Sequence, residues 1–199
     1  MRTITFEFFA VLGLAVGCAL LPGLWRARRS LPQLVFFSLF WGYLLLVVNL
    51  TLFPIHIDLS RSAAQPGQFM NGINPFPLDF STYYSMRAAT REAILNTLMT
   101  IPFGFLVPLV TPVRGWRALA LVIVFGLGFE TAQLCISLMV GFPYRVIDAN
   151  DVVFNGLGAL TGYIVFRLCA GLYLALARAL RLRPRGLFAY LQRMALGEP

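Results

Sequence analysis

Three carboxylates and several side-chain amides sit among apolar residues in the middle and second half of the chain, where packing alone does not call for them. Glu130 and Gln133 are three apart, which puts both on one face of a helix. Asp148, Asp151 and Asn155 follow at i, i+3 and i+7, forming one stripe if a helix starts near Asp148. Arg145 stands just ahead of them, and Asn96 lies in an earlier apolar run. This set, Asn96, Glu130, Gln133, Arg145, Asp148, Asp151 and Asn155, is the candidate ligand-binding group. Arg145 suits a phosphate, because its forked donors match that geometry. The amides suit neutral polar groups.

Glu130 is the one candidate catalytic group, as a general acid or base with Asp148 or Asp151 as partner. Asp148 and Asp151 are also weak candidates for holding Ca²⁺ or Mg²⁺, hard cations that prefer oxygen. The competing reading is that an Asp at a helix start caps free N–H groups and meets the positive dipole end. No Ser/His or Cys/His pair stands in a recognised arrangement, which disfavours acyl transfer by the usual route. Cys18, Cys135 and Cys169 are far apart and read as small buried hydrophobes. With His56 the single histidine, a Cys/His zinc site is not expected, and no cofactor is implied.

The elements that must position these residues are membrane helices. The 199 residues are 59% hydrophobic and 12% charged, where a soluble domain keeps about a quarter charged. Apolar runs cover about Ile4–Trp25, Leu34–Ile55, Glu92–Val110, Ala118–Val140 and Asp151–Leu176, each near the ~20 residues that span hydrocarbon. The expected fold is all-α, a polytopic transmembrane bundle of about five helices forming a single membrane domain over 1–199. The first run is read as a retained span: only Arg2 precedes it, Glu7 opposes that charge, and no A-x-A site follows. Between the second and third runs lies a long connection, from His56 to about Thr90, with turn signals at Gln65-Pro66-Gly67, Asn71-Gly72 and Asn74-Pro75. Its aromatics, including Phe69, Phe76, Phe80, Tyr83 and Tyr84, are expected to rest on the membrane surface. Gly158 and Gly162 make a small-xxx-small face for close helix packing, and Gly13 and Gly17 make another.

All basic residues are arginine, and the net charge is +8. They flank apolar runs as topology requires, and no basic groove or motif points to nucleic acid. Alternate connections carry ten arginines against five, leaving out Arg167 within the last run. The richer set belongs in the cytoplasm, so the N-terminus is expected outside, the C-terminus inside, and the 141–150 linker outside. The basic tail, 177–199, is expected to lie against anionic lipid. At ~1.5 Å per residue, Gln133 and Glu130 lie roughly 10 and 15 Å below the outer end of their helix, with Asn96 and Asn155 about a turn below theirs. An acid at such depth costs about 2.5–3.5 kcal/mol unless it finds a partner, water or a proton. Arg145 is the nearest candidate partner. The polar set is expected to converge on one recess in the outer half of the bilayer; the alternative is a hydrogen-bonded set of Glu130, Gln133 and Asn155 that fixes helix packing.

The stretch from Asn96 to Gly162 resembles the VanZ-like family of bacterial membrane proteins. The resemblance rests on Asn96, Ile101-Pro102-Phe103-Gly104-Phe105, Glu130-x-x-Gln133, and Arg145-x-x-Asp148-x-x-Asp151-x-x-x-Asn155-x-x-Gly158-x-x-x-Gly162. Asn74-x-x-Pro77 is similar to the family's N-x-x-P-F element, with Leu78 where Phe is usual. The resemblance implies a multi-span protein of the bacterial cytoplasmic (inner) membrane, with a VanZ-like core of about 34–176 and an outward-facing polar motif. The family name comes from a member linked to teicoplanin-type glycopeptide resistance. Three functions are open: a binder of membrane lipid or of a lipid-linked cell-wall precursor, an enzyme on such a lipid, or a small transporter. A single deep acid and no internal repeat weaken the last. The oligomeric state is not legible.

Overall fold

A computed structural model of the chain describes residues 2–26, 30–57, 72–111 and 116–198. Arg28, Arg29, Arg61, Gln65-Pro66-Gly67, Phe69, Asn71 and Arg114 fall outside the described residues.

Local chemistry explains where the helices begin. Helix α1, Glu7–Arg26, has Glu7 in its first turn and Arg26 in its last, each meeting the favourable end of the dipole. Helix α2, Leu31–Leu52, opens with proline in its first turn, where no N–H is needed. Helix α3, Met86–Val110, starts on Ser85, whose side chain accepts the Ala88 N–H at 3.2 Å. Pro102 and Pro108 lie inside it, which a membrane helix tolerates because neighbouring groups take up the freed carbonyls. Helix α4 is Trp116–Val140 and helix α5 is Ala149–Ala179. A short helix α6, Leu187–Leu196, ends on Gly197 in the left-handed conformation, a position that favours glycine.

Five of these helices are long and apolar enough to cross a membrane. The chain is a multi-pass, all-α membrane protein with little sheet. Its outside carries leucine, valine and phenylalanine, such as Phe8, Val124, Leu138 and Leu168, because hydrocarbon rather than water is the solvent there. The same inversion corrects the expectation for the cysteines. Cys18, Cys135 and Cys169 are free thiols on the exterior, not buried ones.

The most intimate helix pair is α3 with α5. A Cβ added to Gly158 would stand 2.0 Å from the Thr97 carbonyl oxygen, and one added to Gly162 would stand 1.9 Å from that of Ile101. Gly104 answers from α3 against the Ala159 carbonyl at 1.8 Å. The two backbones therefore meet with nothing between them, as the small-residue face predicts. Thr100 Oγ donates across this seam to the Asn155 carbonyl at 2.8 Å. Phe103, Val107 and Ala159 continue the core, covered by Phe40, Tyr43 and Phe125. At Gly13 and Gly17 of α1, added Cβ atoms would strike Leu45 and Trp41 of α2, and Trp41 donates to the Gly13 carbonyl at 2.9 Å.

Among the described residues, four very short strands gather where α1, α3 and α5 begin and α2 and α4 end. Strand β1, Arg2–Ile4, pairs antiparallel with β2, Ile55–Ile57, placing Thr3 opposite His56. Strand β3, Ile73–Asn74, pairs parallel with β4, Ile147–Asp148. At the other end α6 folds back on the bundle. Tyr190 and Met194 are buried against Leu109 and Phe166, and the Tyr190 hydroxyl donates to the Leu109 carbonyl. Part of the segment read as a basic tail is thus a packed helix, because its apolar residues recur on one face.

A polar recess at the strand-bearing end of the bundle

The β3–β4 pairing brings the long connection onto the linker ahead of α5, and buried amides lock it there. Asn74 donates to Asp148 Oδ1 at 3.0 Å and to the Asp79 carbonyl at 2.9 Å. Asn150 donates to the same Asp79 carbonyl at 2.7 Å and accepts the Leu78 N–H at 2.5 Å. Asn74 is 2% exposed, Asp148 3%, and Asn150 not at all, so these bonds form away from competing water. Leu78 holds a left-handed φ of 65°. That conformation is costly for a branched side chain, and the Asn150 bond to its N–H holds it in place.

Asp148 caps α5 by accepting the Asn150 N–H at 2.8 Å, and its own N–H donates to Glu130 Oε2 at 3.1 Å. It sits in β4, ahead of the helix, so the expected stripe on α5 begins at Asp151. Asn96 of α3 donates to Asp151 Oδ1. Gln133 Nε2 donates to the Thr51 carbonyl of α2 at 3.2 Å. Arg145 Nη2 donates to the Phe53 carbonyl at 2.8 Å and to that of Leu50 at 3.4 Å. Arg145 therefore binds the open carbonyl end of α2 rather than pairing with Glu130, as the sequence suggested. Cations are favoured at that dipole end. Arg145→Ala should destabilise the chain by about 1–2 kcal/mol, with Arg145→Lys recovering part of it. Thermal unfolding in detergent measures both.

Between the linker, the 82–84 turn and α3 lies a cavity of about 410 Å³. Gln133, Arg145, Asp148 and Asp151 line it, together with Tyr83 and Glu92. Asn96 reaches this wall through Asp151, and Glu130 supports it from behind through the Asp148 N–H. Asn155 lies a turn deeper on α5; its backbone carbonyl accepts from Thr100, and its Oδ1 is buried without a partner among the described residues. The recess thus brings together four of the seven predicted residues at its surface and two behind it. No three carboxylate, histidine or cysteine groups among the described residues are placed to share a metal ion.

Tyr83 and Glu92 escaped the sequence reading as recess residues, as did Asn150. Tyr83 looked like a surface aromatic. Its phenol is pushed above its ordinary range, first by burial and then by the Asp148 carboxylate that accepts its hydrogen bond. A usable sign for Asn150 was its position two residues after Asp148, inside the helix start, where an amide faces back toward the preceding loop.

This geometry spans the ordered motif of a known family, and a family model supports the match over residues 40–170. The chain belongs to the VanZ/LLP1 family. The matched segment runs from the middle of α2 to late in α5, so it contains every residue of the recess. In VanZ/LLP1 terms, α1 and α6 lie outside the matched part. No curated protein and no solved structure matches the chain.

Proposed function

We propose that this VanZ/LLP1 protein binds the headgroup of a membrane lipid or lipid-linked cell-envelope precursor in the recess. The supporting observation is a polar cavity walled by Gln133, Arg145, Asp148 and Asp151 at one end of a bundle whose helices carry large apolar side chains on their outer faces. Concave sites with a few convergent polar groups are where ligands bind. A second, apolar groove of about 370 Å³ lies nearby between α3 and α5, lined by Ala89, Ala93, Phe154 and Leu157. Phe80 lines the groove and Tyr83 lines the recess, with their rings 6.3 Å apart. A ligand with a polar head and a hydrocarbon tail fits this pairing. The arginine distribution supports an outward-facing recess, on the side of the membrane where envelope precursors are used. Altered glycopeptide susceptibility would follow if the bound precursor is a drug target.

Glu130 stands behind the recess wall with its oxygen on a backbone N–H. That position supports binding over acid–base chemistry. Ala88 is a small residue on the recess wall, so Ala88→Trp should fill the cavity and leave its hydrogen bonds in place. Native mass spectrometry of the purified protein should then show at least a tenfold loss of retained lipid, about 1.4 kcal/mol, with unchanged thermal unfolding. Full lipid retention by a folded Ala88→Trp variant overturns the reading.

A further inference from the structure

We infer that the recess selects a headgroup bearing a primary ammonium; this rests on the headgroup-binding reading above. Asp148, Asp151 and Glu92 line the cavity together with one guanidinium, Arg145, and the exposed Arg91 guanidinium stands 3.8 Å from Glu92. The Arg145 guanidinium is held by the carbonyls of Leu50 and Phe53. Asp151 has one oxygen on Asn96, and the nearby Asp148 and Glu92 carboxylates repel its charge. An incoming phosphate alone would add to that repulsion.

Gln133 supplies the independent observation. Its side chain is 5% exposed and is among those lining the cavity, and its Oε1 is buried with no hydrogen-bond partner among the described residues. The amide cannot be turned over to relieve this, because Nε2 donates to the Thr51 carbonyl and an oxygen there would face another oxygen. A buried acceptor left open costs about 1–3 kcal/mol. A ligand group suited to this wall is an N–H or O–H donor that also neutralises the Asp151 and Glu92 side. A primary ammonium has three donors and a positive charge. On a zwitterionic headgroup, it would face Gln133, Asp151 and Glu92, while the phosphate turns toward Arg145.

The test uses the full chain in detergent, with phosphatidylethanolamine, phosphatidylcholine and phosphatidylglycerol of identical acyl chains at equal mole fraction. Phosphatidylcholine keeps the cationic charge but has no N–H; phosphatidylglycerol removes the cation. Native mass spectrometry should show phosphatidylethanolamine retained about tenfold over either. Glu92→Gln, at a half-exposed position, should shrink that preference without disturbing the fold, and Asp151→Asn should remove it. A polyprenyl-linked peptide precursor with a free amine, compared with its N-acetylated form, separates a wall precursor from a bulk lipid as the source. Equal retention of the three lipids, or preference for phosphatidylglycerol, overturns the ammonium inference and leaves headgroup binding standing. Retention of no lipid, by wild type and variants alike, overturns both.

Discussion

Gly158→Ala should lower the stability of the folded chain by about 3 kcal/mol, and Gly158→Leu should prevent α5 from docking on α3. The reason is the distance already described: a single methyl at this position meets the Thr97 carbonyl at 2.0 Å, and also Thr100 Oγ at 2.3 Å. Backbone oxygen cannot rotate away as a side chain can, so the helices must separate. Separation breaks the Thr100 bond to Asn155 and opens the core under Phe103 and Ala159. Controls are built into the same helix. Gly156 and Gly171 have nothing within 4 Å of an added Cβ. Their alanine variants should be neutral or gain up to about 1 kcal/mol through helix propensity. Unfolding by a graded denaturing detergent reads all three; equal losses at Gly156 and Gly158 would show that close approach is not the cause.

Asn150→Ala should release the 73–85 segment from the bundle at a cost of about 2–3 kcal/mol, with α3–α5 packing intact. Asn150 is wholly buried and serves two partners on that segment, the Leu78 N–H and the Asp79 carbonyl. Removing the amide takes away the acceptor of the Leu78 N–H and one of the two donors to the Asp79 carbonyl, leaving Asn74 alone there. The segment can regain the lost bonds only by moving into water. Hydrogen exchange should rise by more than about tenfold over 73–85 and little within α3 or α5. Since Tyr83 lines the recess, lipid retention should fall with it. Asn150→Asp should be as damaging, because a carboxylate keeps an acceptor for Leu78 but confronts the Asp79 carbonyl with another oxygen. Unchanged exchange over 73–85 would remove the latch role.

The span count and the Gly158–Gly162 seam were legible because both are written in local composition: unbroken apolar length and small residues four apart. The gathering of Gln133, Arg145, Asp148 and Asp151 was legible because each had to avoid hydrocarbon. The partners were not. Arg145 turned to the Leu50 and Phe53 carbonyls, far from it in sequence, rather than to the nearer Glu130. Tyr83 could not be separated from its aromatic neighbours, since one β3–β4 pairing decides which rings face inward. Helix α6 was obscured by the arginines around it, although Tyr190 and Met194 share a face and do the packing.

The backbone-to-backbone seam between α3 and α5 has a mechanical consequence. Two rods in contact along their carbonyls cannot slide or spread by small amounts, so they form the stiff spine of the molecule. Widening of the recess would then come from α4, the linker ahead of α5 and the 82–84 turn. Spin labels placed across the spine should report one fixed distance with or without lipid. Labels between the turn and α4 are where a change of shape would register.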